Sequence, residues 1–337
     1  MVKLGINLIP SMPVKEIVTT AVEAEKIGYE YLILADEGSM QDVYVTLGAL
    51  ARETKGMKLS PCTNGYTRHP AVTAAAMATL HEISEGRSFL TLIAGGSLVL
   101  NPMKIAREAP LSVARDTVEI ARRLWSGETV SYDGERFGLS QARLTMGKQT
   151  DIPIWIAPRG DKMCKLAGEL ADGAMLMVKA DLGEAFNLVD QGNASRGRKL
   201  GRAYLDRIAY TPEMIQETAA FFPHVVVDTP ARQLKGLMSD EQIEIILRAV
   251  KEGGYKAAEK LITFEMLQGY KIAGTPDECS QIFRDLADEH RLDVFILNIV
   301  AGGLEGNLQY LNDVYEIVKA SGRLAVHAPN TSGEILA

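Results

Sequence analysis

Cysteine and histidine are scarce in this chain, and each scarcity removes a class of chemistry. Only 3 cysteines, Cys62, Cys164 and Cys279, occur in 337 residues. They are far apart and odd in number, which fits reduced thiols better than a disulfide framework. The 5 histidines (His69, His81, His224, His290, His327) form no HxH or HExxH arrangement, so no metal site is expected. No serine sits in a GxSxG elbow, which leaves Ser/His/Asp hydrolysis without support. The apolar runs fall far short of the ~20 residues that cross a bilayer. The start passes from Met1 into an apolar segment broken at Asn7, without the basic start and long apolar stretch of a signal peptide. A cytoplasmic protein without membrane association is expected. Positive charge is not in excess either: a net charge of −7 argues against general attraction to nucleic acid, and the basic stretch Arg196 to Arg202 reads as solvated surface.

What the chain does have is rhythm. Apolar, β-rich segments recur at Leu4 to Ile9, Tyr31 to Ala35, Lys58 to Thr63, Ser88 to Ala94, Ile154 to Ala157, Ala174 to Val178, Tyr204 to Tyr210 and Val294 to Val300. Between them lie helical patterns, such as Val14, Ile17, Val18, Ala21, Val22 with Gly28 as a stop. The strands read as nearly continuous apolar runs rather than alternating ones, which marks parallel strands covered on both faces. Eight such strands with crossover helices close into an α/β (β/α)8 TIM barrel. A two-domain, doubly wound arrangement needs a linker that is absent. The expected organisation is one domain over residues 1–321, with an insertion between strands seven and eight at about 223–262 and a surface tail at 322–337. Glu128 to Leu139, centred on Asp133-Gly134, reads as a short hairpin.

Candidates for chemistry are the polar residues at the C-terminal ends of the strands, where the βα loops of a barrel gather. They are Asn7, Asp36-Glu37, Thr63-Asn64-Gly65, Gly95-Gly96-Ser97, Arg159-Gly160 and Asn298. In the turn Thr63 to Pro70, Gly65 reads as a backbone conformation closed to other residues and Pro70 as the first turn of a helix. If strand geometry continues, only one of Asp36 and Glu37 faces the barrel mouth. Either that carboxylate serves chemistry or cofactor, or one caps the helix beginning near Gln41 and the other is solvated. Gly95-Gly96 is open to backbone approach by a ring or a phosphate, or is a plain tight loop. The segment Ala157 to Lys162 offers free helix N–H groups beside Arg159 and Lys162 as a phosphate seat, or is an ordinary turn with Asp161 as N-cap.

Several longer motifs resemble the bacterial-luciferase-like superfamily, and within it the coenzyme F420-dependent branch that includes methylenetetrahydromethanopterin reductase. They are Lys3-Leu4-Gly5-Ile6, the Thr63 to Pro70 turn with its Ala-rich helix running to Gly86-Arg87, the hairpin from Ser126 to Glu135, Lys165 to Ala174, and Gly274-Thr275-Pro276-Asp277-Glu278. The resemblance implies an oxidoreductase barrel binding coenzyme F420 at its C-terminal mouth, with FMN as the alternative cofactor. It implies hydride transfer between the deazaflavin C5 and an organic substrate; an FMN-dependent monooxygenase and a non-catalytic cofactor-binding barrel are the alternatives. It also implies that Asn64-Gly65 forms a bulge, often with a cis peptide, behind the central ring. Asp36, Thr63, Gly95, Gly96, Ala157, Arg159 and Gly160 are the further implied cofactor contacts, and Glu37, Asp36 and Asn7 the catalytic candidates. Relatives commonly form homodimers. The chain departs from the pattern at Glu37, where many relatives have histidine, at Asn7, where methanopterin reductases carry glutamate, at Thr91 and Ile93, where glycine is frequent, and at Gly65, where proline is common.

Overall fold

The eight apolar segments become the eight strands of a closed parallel barrel: β1 (Lys3–Leu8), β2 (Tyr31–Ala35), β3 (Lys58–Thr63), β4 (Leu90–Leu92), β5 (Ile154–Ile156), β6 (Gly173–Leu176), β7 (Gly201–Asp206) and β8 (Val294–Ile299). Each strand pairs with its sequence neighbours, and β1 closes on β8 with Asn7 opposite Asn298. The computed structural model describes residues 1–146, 149–229, 231–234, 237–299 and 303–325; Val300, expected at the end of strand eight, lies outside them.

Strand alternation sorts the core into two parts. Outward-facing residues such as Leu32, Leu34 and Leu59 pack under the helices. Tyr31, Ile33, Phe89, Trp155, Met175, Ala203, Val294 and Ile296 fill the interior. Tyr31 stacks on Trp155 with ring centroids 5.7 Å apart, and Phe89 lies 5.0 Å from the same indole. Two glycines make room for these rings. A Cβ at Gly173 would sit 2.6 Å from Trp155 Nε1, and one at Gly5 2.5 Å from Ile296 Cδ1. The interior is therefore a packed plug, and only its last layer can meet a ligand.

Three features differ from the sequence reading. Helix Pro212–Asp228 runs through Pro223, so the extra helical material between β7 and β8 starts at Pro212 and continues to Tyr270. Pro223 reads as a boundary because it lacks an N–H, yet the helix carries it. The tail does not leave the surface at once: Val2 N donates to Arg323 O at 2.7 Å, Ala325 N donates to Val2 O at 2.9 Å, and Leu324 is buried. The remainder of the expected tail, 326–337, lies outside the described residues. The basic stretch lies at the surface but is ion-paired there: Arg198 pairs with Asp172 at 2.6 Å, Lys199 with Asp293 at 3.3 Å, and Arg202 with Asp190 at 2.5 Å. The hairpin is present as Val130–Asp133 against Gly138–Ala142, with Asp116 Oδ2 accepting from Arg136 N and Phe137 N at its turn. Among the described residues, no helix is long and apolar enough to cross a membrane, and no group of three His, Cys, Asp or Glu side chains could hold a metal.

Candidate functional site

The top interior layer is half-open. Cys62, Ile93, Met177, Leu205 and Asn298 are partly exposed above the buried plug. At the rim, Asp36 and Glu37 follow β2, and the turn 63–70 follows β3. Thr63 Oγ1 donates to Asp36 Oδ2 at 2.6 Å, and Asp36 N donates to Cys62 O at 3.0 Å, which extends the β2–β3 pairing by one residue. Asp36 is thereby fixed at the rim.

Neither rim carboxylate caps the following helix. That helix spans Val43–Glu53, and Asp42 caps it by accepting from Tyr44 N and Val45 N, each at 3.0 Å. Asp42 also pairs with Arg68 of the turn, whose guanidinium lies 4.6 Å over the Tyr44 ring. Glu37 has no side-chain hydrogen bond or ion pair among the described residues. Burial, and secondarily the Asp36 charge, raises its carboxyl above the ordinary value. Burial likewise pushes the Cys62 thiol up to about 12, with Glu37 and Asp36 adding to the shift. The thiol is inert at neutral pH, whereas the Glu37 carboxyl gives up its proton less readily than an ordinary glutamate.

The turn is built differently from the sequence expectation. Asn64 Oδ1 accepts from Tyr66 N at 2.8 Å and Thr67 N at 3.0 Å, which closes an Asx turn. Its Nδ2 is sealed inside without a partner. Gly65 does not have positive φ, and all described peptide bonds are trans. Glycine is required there for space: a Cβ would lie 2.6 Å from both Thr117 Oγ1 and Val113 Cγ1 of helix Pro110–Trp125. Sequence alone could not separate a conformational glycine from a packing one, because the neighbour lies about fifty residues away and is found only by folding. His69 caps the next helix through Nδ1 accepting from Ala71 N at 3.2 Å, with Pro70 at its first position.

The glycine loops after β4 and β5 complete the rim. Gly95 has φ 82°, and a Cβ there would meet Leu100 Cδ1 at 2.8 Å, so it is a turn residue buried under Tyr66. Gly96 and Gly160 face open space, with nothing within 4 Å of a would-be Cβ. Gly160, not Asp161, is the N-cap of helix Asp161–Leu170, and no side chain caps it. The exposed Arg159 and Lys162 flank this helix start.

Accessibility thus divides the candidates. Asp36, Glu37, Gly96, Arg159 and Gly160 are reachable from the mouth side, and Asn7, at 8% exposure, is reachable at one edge. Thr63, Asn64, Gly65, Gly95 and Ala157 are buried and support the rim from beneath.

One cluster escaped the sequence reading. Asp206, at the end of β7, is 0% exposed and pairs with Lys271 at 2.6 Å, while accepting from Tyr204 Oη and, at 3.2 Å, from Ile272 N. Burial works against the Lys271 ammonium, yet Asp206 holds its pKa above the ordinary value. Gln233 Nε2 donates to Arg159 O at 2.8 Å and Asp181 Oδ2 at 3.0 Å. These bonds fasten the helical insertion to the mouth. The available signal was a carboxylate standing inside an apolar strand, Tyr204 to Tyr210. Two surface clefts of about 390 and 300 Å³ lie instead along helix Pro110–Trp125 and the hairpin, and neither is lined by a rim candidate.

A half-open, mainly apolar mouth with one protonatable carboxyl and an uncapped helix start suits a large planar cofactor bearing an anionic tail. Comparison with known proteins shows the family. The luciferase-like monooxygenase family matches residues 4–290, and the chain belongs to it, as an oxidoreductase. Within that family it is 33% identical over 301 residues, covering 85% of this chain and 90% of the relative, to the 5,10-methylenetetrahydromethanopterin reductase of Archaeoglobus fulgidus. It is 32% identical to the Methanolobus tindarius reductase of the same name, over 88% of this chain and 93% of the relative. The solved coenzyme F420-dependent tetrahydromethanopterin reductase of Methanopyrus kandleri superposes with a TM-score of 0.84 at 24% identity, covering 95% of this chain and 99% of the other. The expected superfamily and barrel are therefore both found.

Proposed function

We propose that this chain is a coenzyme F420-dependent oxidoreductase whose reaction takes place at the C-terminal mouth of the barrel. The relatives named as reductases cover most of the chain, and a further group of relatives named F420-dependent glucose-6-phosphate dehydrogenase matches about half of it, at 47%. The observation in the fold that carries the reading is the open-sided pair Gly96 and Gly160, with an uncapped helix N-terminus at the latter. A Cβ at either position would intrude on the space a ligand needs, and a helix N-terminus beside Arg159 favours phosphate. The residues present therefore fit a deazaflavin with a phosphate-bearing tail.

The cofactor, when bound, supplies hydride exchange at C5 with an organic substrate. The protein's part is positioning and proton control. The Asn64-Gly65 turn, braced by its Asx hydrogen bonds and helix Pro110–Trp125, supports from beneath the rim on which the ring rests; Gly96 gives the ring lateral room; Arg159 and Gly160 hold the phosphate. Thr63 is buried and works through Asp36, whose Oδ2 it holds. Glu37 keeps a proton to higher pH than an ordinary glutamate and is the donor or acceptor for the substrate. Asn7 carries an amide that cannot release a carboxylic proton, so Glu37 takes that duty. A cytoplasmic homodimer belongs to the same reading.

Separate titrations with F420 and FMN, followed by fluorescence, test it. F420 binds more tightly than FMN, and Gly160→Val weakens F420 by about tenfold or more, as loss of a close backbone contact to a charged group implies. Weak binding of both cofactors contradicts the proposal; tighter FMN binding together with oxygen consumption replaces it with the monooxygenase reading.

A further inference from the structure

The interior faces of β1 and β8 end in two neutral amides. Asn7 and Asn298 are register partners, and Asn7 Nδ2 donates to Asn298 Oδ1 at 2.9 Å. That bond leaves Asn7 Oδ1 and Asn298 Nδ2 without a protein partner among the described residues, and neither atom is among those sealed from the surface. Exchanging oxygen and nitrogen in both amides reverses the internal bond yet leaves the same outward set: one donor beside one acceptor. Cys62, Ile93, Met177 and Leu205 are the half-buried apolar side chains at the top of the barrel interior. A ligand edge with a donor next to an acceptor satisfies both amides together.

We propose that Asn7 and Asn298 form a substrate subsite for a neutral cis-amide edge, the adjacent N–H and C=O of a lactam or of a lactam-like heterocycle. Asn298 Nδ2 donates to the ligand carbonyl, and Asn7 Oδ1 accepts from the ligand N–H. The subsite rests on the reading of the mouth as the reaction site and adds to it the chemical class of the substrate.

The test uses three probes on the purified, F420-loaded protein, with dissociation constants from ligand-observed NMR: δ-valerolactam, its N-methyl derivative, and the cyclic amidinium 2-iminopiperidine. The wild-type protein binds the lactam about five- to tenfold more tightly than the N-methyl compound, the effect of one hydrogen bond. Asn298→Asp preserves the acceptor for Asn7 Nδ2 but turns the outward donor into a carboxylate oxygen. It reverses the preference, so that the amidinium binds more tightly than the lactam, a gain that damaged folding cannot produce. F420 affinity is read from its fluorescence in the same samples. Equal binding of lactam and N-methyl lactam, or an unreversed preference in Asn298→Asp, with F420 bound normally, overturns the subsite alone. Failure of the wild-type protein to bind F420 removes the functional reading beneath it.

Discussion

Gly65→Ala is the most informative single change in the turn. The added Cβ would stand 2.6 Å from Thr117 Oγ1 and 2.6 Å from Val113 Cγ1. Neither neighbour is free to withdraw: Thr117 Oγ1 donates to Val113 O at 2.7 Å, and Thr117 and Val113 are 1% and 2% exposed. Relief requires either that hydrogen bond, about 0.5–1.5 kcal/mol, or displacement of the turn from helix Pro110–Trp125, which as overpacking costs about 1–3 kcal/mol. Backbone strain contributes nothing, because Gly65 lies outside the positive-φ region. Denaturant unfolding followed through Trp125 and Trp155 is expected to show a lower midpoint, with stability reduced by about 1–3 kcal/mol. Val113→Ala removes one of the two clashing atoms, so the double variant Gly65→Ala/Val113→Ala loses less than the sum of the single changes, by about 1 kcal/mol. F420 titration of the same variants reports whether the displaced turn also loosens the cofactor. An unchanged midpoint for Gly65→Ala, or strict additivity in the double variant, refutes the argument that packing selects this glycine.

Asp206→Asn leaves the Lys271 ammonium largely buried without its counter-charge and is expected to cost about 3–5 kcal/mol. Limited proteolysis should then cut faster between residues 212 and 270 than in the barrel, and an unaltered cleavage pattern speaks against the fastening role. The folded protein raises the Glu37 carboxyl, so its contribution to stability is fully present below the unfolded pKa and is lost as pH rises through the folded pKa. Glu37→Gln flattens that part of the stability profile, and if Glu37 is the proton donor it also removes the fall in turnover at rising pH; superimposable profiles for variant and wild type contradict both statements.

The barrel was legible in the chain because each of its eight strands is a short apolar run, and parallel strands covered on both faces need no other signal. The mouth was legible for a related reason: polar residues interrupt those runs at their C-terminal ends. Which of these polar residues can touch a ligand was not legible. Thr63, Asn64 and Gly65 share the turn with half-exposed Tyr66, Thr67 and Arg68, and only the packing of helix Pro110–Trp125 against the turn places the first three inside. Asp42 took the helix cap that was one of two alternatives for Asp36 and Glu37, because the strand-like backbone persists one residue past β2, delaying the helix to Val43. Pairings such as Asp206 with Lys271, or Asn7 with Asn298, join residues 65 or more positions apart. Local sequence determined where strands, helices and turns form, since those depend on periodicity and on residues a few positions apart. Tertiary structure decided which side chains meet at the mouth, since barrel closure brings the first strand beside the last and burial then selects which polar atoms remain free.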